Sequence, residues 1–330
     1  MEKILLSISA GIGDALMAQP LLCEIQNNFP QSHIEVLCSA ATQHVFRSHP
    51  GIQKIWTMDV SSIKKYFGLV GKIRKEKFDL YIGAIPSNTY SQLLLPVLAG
   101  IPVRIKHNSP HKFPRNLDAL YHALTPIGEG VHRLECNLEL LHFLKVNHWS
   151  KQSPKFHISD VTLAKMETRI AHDRKKLIIG FHPGCNPAAA FKRWPSERYA
   201  ALADYLYTTY DATVFIVGGK DEADDVRKIM EQAQHKPLNF AGQCTLEETA
   251  ALIAQAHFFV SNDSGIMHLS TAVGTPVFAI FGPKDERHIG PYGEKHTVIR
   301  NGRDVNQVTL EQVVQTLIAS KFGLKPFIKS

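Results

Sequence analysis

The sequence predicts an α/β protein made of two doubly wound, parallel-sheet domains facing a cleft. Three observations predict it. Short apolar runs of strand length alternate with helical periods along most of the chain, as in successive β-α-β units. The strands are apolar on both faces, which suits sheets covered by helices on either side. Glycine-rich turns follow strands in both halves, where open α/β sheets bind ligands.

The elements follow in order. Ile4 to Ile8 reads as a strand, Gly11 and Gly13 as a flexible turn, and Asp14 to Asn28 as a helix that Pro20 should kink or break. Ile34 to Cys38 is the next strand, so the first unit is a right-handed crossover. Helices at Ala41–Arg47, Ile63–Glu76 and Thr89–Leu98 alternate with strands at Lys54–Met58, Leu80–Ala84 and Val103–Ile105. Residues 106–116 are basic, proline-containing and aperiodic, hence a loop, and Arg133 to Val146 is a helix with His132 and Arg133 at its start. A helix at Asp160–Asp173 marks the region of the domain junction.

A second series begins with a strand at Leu177–Phe181 and a long loop. Ser196 should cap a helix reaching Tyr210. Thr213–Val217 is a strand ending in Gly218-Gly219, Glu222–Gln234 a helix, and Asn239–Ala241 a short strand. Thr245 with Glu247 and Glu248 opens a helix to Gln255. Phe258–Val260, a polar loop, a helix at Ile266–Val273 and a strand at Val277–Phe281 follow, then a strand at Val298–Arg300 and a helix at Thr309–Lys321.

Size and composition narrow the function. A chain of 330 residues with 44% hydrophobic and 20% charged residues is ample for two cores. The net charge of +7 asks for an anionic partner, and no nucleic-acid-binding motif accompanies it. Five scattered cysteines without a CxxC argue against a disulfide framework or a zinc site. The apolar N-terminus is interrupted by Asp14 and reads as strand, turn and helix rather than a leader; no run is long enough for a membrane span.

Polar clusters stand where strands end. Ser9-Ala-Gly11-Ile-Gly13-Asp14 begins like a dinucleotide fingerprint, but Leu16 occupies the place of the third glycine. Asp14 is either a helix cap or a base. Lys192 and Arg193, after His182-Pro-Gly184, make either a phosphate clamp or a solvated loop. Asp221 and Glu222 can accept from ribose hydroxyls or serve only as helix-start charges. Asp263, Ser264, Gly265 and His268 open a short helix whose free N–H groups suit a phosphate; alternatively, Asp263 is an N-cap and His268 a buried, satisfied histidine. P-loop, GxSxG, HExxH and EF-hand patterns are absent.

The clusters, in order, resemble the motifs of the glycosyltransferase family nine heptosyltransferases of lipopolysaccharide core synthesis. Gly13-Asp14-Ala-Leu with Pro20-Leu-Leu and Phe29-Pro30 is similar to the N-terminal motif, and His182-Pro-Gly184 with Lys192-Arg-Trp194-Pro195 to the central one. Gly242, Thr245-Leu246, Ser261-Asn-Asp-Ser-Gly265, Met267-His268 and Gly274-Thr-Pro276 resemble the donor motif, and Pro291-Tyr-Gly293 follows. The loop from Cys185 to Phe191 departs from the pattern, with few of the hydroxyl and charged residues that line donor phosphates in relatives.

The resemblance implies a GT-B fold and an inverting, metal-independent transfer of heptose from ADP-heptose to an anionic glycolipid acceptor of the inner core, without a cofactor. It implies an acceptor-binding domain at 1–160, a nucleotide-sugar domain at 175–305, and a C-terminal helix and tail at 306–330, with a return to the N-terminal domain left open. Asp14 would be the general base, with Ser9, Gly11 and Gly13 on the acceptor side, and Lys192 would stabilise the leaving diphosphate. Gly184, Asp221, Glu222, Asp263, Ser264, Gly265 and His268 would bind the donor, with the backbone at Cys244 near the adenine. Work at the cytoplasmic face of the inner membrane, with peripheral contact through the basic N-terminal half, would follow. A same-fold enzyme with another nucleotide sugar and a non-catalytic nucleotide-sugar binder are the competing readings.

Overall fold

A computed structural model of the chain describes residues 2–8, 11–47, 49–85, 89–108, 115–170 and 177–320. It divides into two units, Met1–Pro154 and Lys155–Ser330. The first contains β1 (Lys3–Ile8), α1 (Ile12–Asn28), β2 (His33–Cys38), α2 (Gln43–Phe46), β3 (Lys54–Thr57), α3 (Ile63–Glu76), β4 (Leu80–Gly83), α4 (Tyr90–Leu98), β5 (Val103–His107), β6 (Ala123–Thr125) and α5 (Arg133–Glu139). The second contains α6 (Asp160–Ile170), β7 (Ile178–His182), α7 (Ser196–Tyr210), β8 (Thr213–Ile216), α8 (Ala223–Gln232), β9 (Leu238–Asn239), α9 (Leu246–Ala254) and β10 (Phe258–Asn262). It continues with α10 (Gly265–Ala272), β11 (Val277–Phe281), α11 (Glu286–Ile289), β12 (Thr297–Arg300) and α12 (Leu310–Ala319).

Each unit holds a parallel six-stranded sheet. The orders are β3-β2-β1-β4-β5-β6 and β12-β11-β10-β7-β8-β9. Counted within its own unit, the second order is the first read from the other end. The strand order therefore reverses direction between β1 and β4 in one unit and between β7 and β10 in the other. Such a switch point leaves a crevice at the carboxyl ends of the strands.

The strands are buried on both faces because helices cover both. In the first unit Leu5, Leu37 and Tyr81 of three strands pack with Leu69, Val70 and Ile73 of α3. In the second, Phe258, Val260, Phe278 and Ile280 meet Leu202, Ala203 and Leu206 of α7, and Val313 and Leu317 of α12. Side-chain caps set several helix starts: Ser62 for α3, Thr89 with Gln92 for α4, and Thr245 with Glu248 for α9.

Several elements differ from the sequence expectation. Helix α1 runs unbroken through Pro20. Leu16, Leu21, Leu22 and Ile25 are all buried, and their packing holds the helix across the missing N–H. The cap of α7 is Pro195, not Ser196; Ser196 is already helical, and its hydroxyl donates to Asp225 at 3.3 Å. The expected helix from Arg133 to Val146 ends at Glu139 and tightens to a 3-10 helix over Leu140–Leu144. Strand β5 extends to His107, and residues 123–125, not foreseen as a strand, pair with it as β6. Glu222 belongs to a 3-10 turn (Lys220–Glu222) ahead of α8. The expected helix continuations to Asp173 and Lys321 fall outside the described residues.

Candidate functional site

In the first unit the turn after β1 leads into α1, and Asp14 occupies the third position of that helix. Its Oδ2 accepts from the Gly11 N–H at 3.3 Å. Its Oδ1 lies 2.9 Å from the Arg133 guanidinium at the start of α5. The carboxylate is thus fixed by a backbone donor and a half-exposed cation. Gly11 is exposed and Gly13 buried; Ser9 falls outside the described residues.

The second unit gathers residues from four strand ends. Asn262, the fully buried last residue of β10, ties the loops together. Its amide donates to the Pro183 carbonyl at 2.6 Å, and its Oδ1 accepts from the Trp194 N–H at 3.1 Å and the Tyr199 hydroxyl at 3.2 Å. The loop after β7 and the turn containing Lys192 are therefore anchored on the strand that leads into α10. Lys192 Nζ lies 2.6 Å from Asp263 Oδ2.

Ser264, rather than Asp263, caps α10: its Oγ accepts from the Met267 N–H at 3.3 Å. The same oxygen lies 3.1 Å from His182 Nδ1. His182 Nε2 in turn faces Glu222 Oε1 at 3.6 Å, an ion-pair distance. Glu222 Oε2 accepts from the Gly219 N–H. Burial works against this carboxylate, but the His182 ring, the Gly219 N–H and the Arg193 charge outweigh it and hold the carboxyl below its ordinary range. Gly184 is required beside it, because a Cβ there would collide with the Glu222 side chain. His268, four residues after Ser264, is buried in the second turn of α10.

The β8 and β9 ends meet through the Gly242 N–H, which donates to the Gly218 carbonyl at 2.9 Å. Gly242 has φ +70°, a left-handed backbone that glycine adopts without strain. Cys244 stands just before the cap of α9, with its Sγ 3.9 Å from Arg169.

Lys192, Asp263, Ser264, Gly184 and Glu222 are thus brought into one cluster. Asp221 is exposed, whereas its neighbour Glu222 is buried. Arg193 is not half of a free clamp with Lys192. Its guanidinium is held by Asp225 at 2.6 Å and the Cys185 carbonyl at 3.2 Å. From sequence, Arg133 reads only as a helix start and His182 only as part of the loop cluster, and neither is given a role. Arg133 stands where a helix dipole disfavours a cation, which is a signal for a specific acidic partner. His182 ends a strand directly before Pro183-Gly184, and only the fold shows what its ring meets. Among the described residues, no group of three His, Cys, Asp or Glu side chains is arranged to hold a metal ion.

Residues 67–316 match the family model of glycosyltransferase family 9 (heptosyltransferase). The chain is 28% identical over 316 residues to lipooligosaccharide heptosyltransferase 2 of Haemophilus influenzae, covering 90% of this chain and 88% of that protein. It is 25% identical over 328 residues to lipopolysaccharide heptosyltransferase 3 of Escherichia coli, covering 91% and 92%. The solved structure of the E. coli ADP-heptose lipopolysaccharide heptosyltransferase II matches with a TM-score of 0.80 at 23% identity, over 97% of this chain and 98% of that one. At that identity the likeness is one of fold. With the two doubly wound sheets, it identifies a GT-B architecture of two Rossmann-like domains.

Proposed function

The chain belongs to glycosyltransferase family 9 and is a heptosyltransferase of lipopolysaccharide core synthesis; from that premise we propose that it is an inverting enzyme using ADP-heptose as donor, an inner-core glycolipid as acceptor and Asp14 as general base. The observation that carries the donor side is the cluster at the β7 and β10 ends, where Lys192, Asp263 and Ser264 surround the start of α10. A diphosphate there meets an ammonium group and the unpaired N–H groups of a helix N-terminus. Gly265 and His268 complete that contact. Glu222 accepts from ribose hydroxyls beside Gly184, with exposed Asp221 at the rim, and the backbone at Cys244 lies against the adenine.

On the acceptor side, Asp14 takes the proton of the attacking hydroxyl as that oxygen bonds to the anomeric carbon. The bond to the diphosphate breaks with inversion, and ADP leaves with the electron pair. Lys192 and the α10 N–H groups stabilise the charge that develops on it. Arg133 and the Gly11 N–H fix the direction of the carboxylate. Gly11, exposed at the turn before α1, leaves the backbone open for the acceptor, and we assign Ser9 and Gly13 to the same side.

We place the reaction at the cytoplasmic face of the inner membrane, where a lipid-anchored acceptor is presented. Among the described residues, no helix is long and apolar enough to cross a membrane. The exposed face of α3, with Lys64, Lys72, Arg74 and Lys75 beside exposed Ile63 and Phe67, supports peripheral contact with anionic lipid. Sedimentation with anionic vesicles that fails at every salt concentration would remove this contact.

The deciding experiment measures ADP release from ADP-heptose with a truncated core acceptor, for the wild type and for Asp14→Asn. Acceptor-dependent release that collapses in the variant, with donor binding retained, supports the assignment. Full release in Asp14→Asn overturns the base. Release from another nucleotide sugar in preference to ADP-heptose overturns the donor.

A further inference from the structure

His182 is buried between two oxygens, each of which belongs to a residue of the donor cluster. Its Nδ1 lies 3.1 Å from Ser264 Oγ, and its Nε2 lies 3.6 Å from Glu222 Oε1. The ring is 3% exposed and Glu222 5%. The proton arrangement follows from the partners of Ser264. That hydroxyl already accepts the Met267 N–H, and its remaining neighbours are His182 Nδ1 and Ser261 Oγ, the latter at 3.2 Å. Ser261 donates its own proton to the Asn262 carbonyl at 2.9 Å.

Two states are therefore open to the Ser264 proton. If His182 carries one proton, the Glu222 carboxylate favours it on Nε2. Nδ1 is then bare and accepts the Ser264 proton, so the hydroxyl has nothing left to donate. If the ring carries two protons, Nδ1–H donates to Ser264. The serine oxygen then accepts from both Met267 and His182, and its proton, released from the ring, can turn from the Ser261 oxygen to a ligand oxygen. The second state also adds a positive charge below the α10 N-terminus.

We propose that His182 is a proton-linked positioning residue for the nucleoside diphosphate: the doubly protonated ring turns the Ser264 hydroxyl into a phosphate donor, so that ligand binding takes up a proton. The inference rests on the reading of this cluster as a diphosphate site. The charged and titratable groups around the ring are consistent with it. Glu222 faces it from the turn after β8, and Arg193, which acts on Glu222, is itself neutralised by Asp225 of α8. Lys192 and Asp263 neutralise each other at the β10 end. Tyr199 of α7 presents a neutral phenol that donates to the His182 carbonyl at 3.3 Å, and Cys185, also neutral, follows three residues on. One carboxylate therefore faces the ring directly, 3.6 Å from Nε2.

The test is calorimetric titration of ADP into the full chain, in buffers of different protonation enthalpy, between about pH 7 and 8.5. Wild type is expected to take up as much as about one proton per ADP bound. The ligand's own terminal phosphate contributes with the opposite sign, because a cationic site favours its ionised form. His182→Gln should bind ADP without uptake, and Ser264→Ala, which leaves the ring no hydroxyl to redirect, should bind ADP more weakly and lose most of the uptake. ADP binding by wild type with no proton uptake overturns the inference while leaving the diphosphate site intact. So does uptake that persists undiminished in His182→Gln or in Ser264→Ala; the Ser264 result decides if His182→Gln does not fold. Absence of ADP binding by wild type overturns the diphosphate site itself.

Discussion

Lys192 Nζ and Asp263 Oδ2 lie 2.6 Å apart, with 14% and 7% of their side chains exposed. The pair neutralises two partly desolvated charges beside the start of α10. A diphosphate brings more negative charge than one carboxylate and competes for the same ammonium. In the proposed mechanism, charge accumulating on the departing ADP would tilt that competition further, which is the differential binding that lowers a barrier.

Lys192→Ala is therefore expected to lose about 10²–10³ in kcat, with a smaller change in donor KM. Steady-state kinetics at saturating acceptor measure both. A rise in KM alone would assign Lys192 to ground-state binding and remove it from leaving-group stabilisation.

Asp14 and Arg133 are separated by 119 residues in sequence and by 2.9 Å in the fold. Asp14→Asn should cost about 10²–10⁴ in kcat while donor affinity stays unchanged. Arg133→Ala should cost less in rate but move the acid limb of the pH–rate profile to higher pH. The sign follows because a nearby cation favours a carboxylate's charged form. An unmoved acid limb would show that Arg133 has no electrostatic hold on the base.

Which of these relationships could be read from sequence depends on their range. The alternation of apolar strands and helices carried the doubly wound class, since both faces of every central strand had to be covered. The polar loop and short helix around Ser264 to His268 were legible because a run of small polar residues between two apolar segments marks a helix start. Pairings across the sheet were not. Arg133 reaches Asp14, and Glu222 reaches His182, only after the strand order is fixed. Arg193 looked like a second clamp cation because its partner, Asp225, comes from α8, 32 residues on. Strand β6 escaped because three residues carry too little periodicity to register.

Acid stability gives a test of the buried histidines. His107 is 4% exposed, and neither ring nitrogen meets a hydrogen-bond partner in ordinary geometry. Burial chiefly, and the Lys106 charge, push its pKa down from 6.5 to about 4, despite opposing pulls from the Thr125 backbone and Asn137. The unfolded chain thus binds the proton first. Stability from the neutral ring is complete above about pH 6.5 and is lost as pH falls toward about 4, for a total of about 3 kcal/mol. His296, also pushed down to about 4, adds the same sign in the second unit. Urea unfolding at about pH 7 and pH 5 should show this loss, and His107→Leu should reduce it. An identical pH dependence in the variant would sink the assignment.

Gly184 and Glu222 supply the last prediction. The glycine has no room for a Cβ, because the Cγ, Cδ and Oε1 atoms of Glu222 occupy that space. Gly184→Ala must push the glutamate away from the His182 ring and from the Gly219 N–H. The expected cost is about 1–3 kcal/mol in stability. ADP affinity should also fall by about tenfold or more, since the acid proposed to accept from ribose is displaced. The double variant Gly184→Ala/Glu222→Ala separates the two effects. Removing the obstructing side chain should return much of the thermal stability lost in Gly184→Ala. It should not return the ADP affinity, because the carboxylate is gone. Thermal unfolding and ADP titration of the three proteins make the comparison. Wild-type stability and ADP affinity in Gly184→Ala would mean that Glu222 has another position open to it, and that its place between Gly184 and His182 is not needed for the nucleotide.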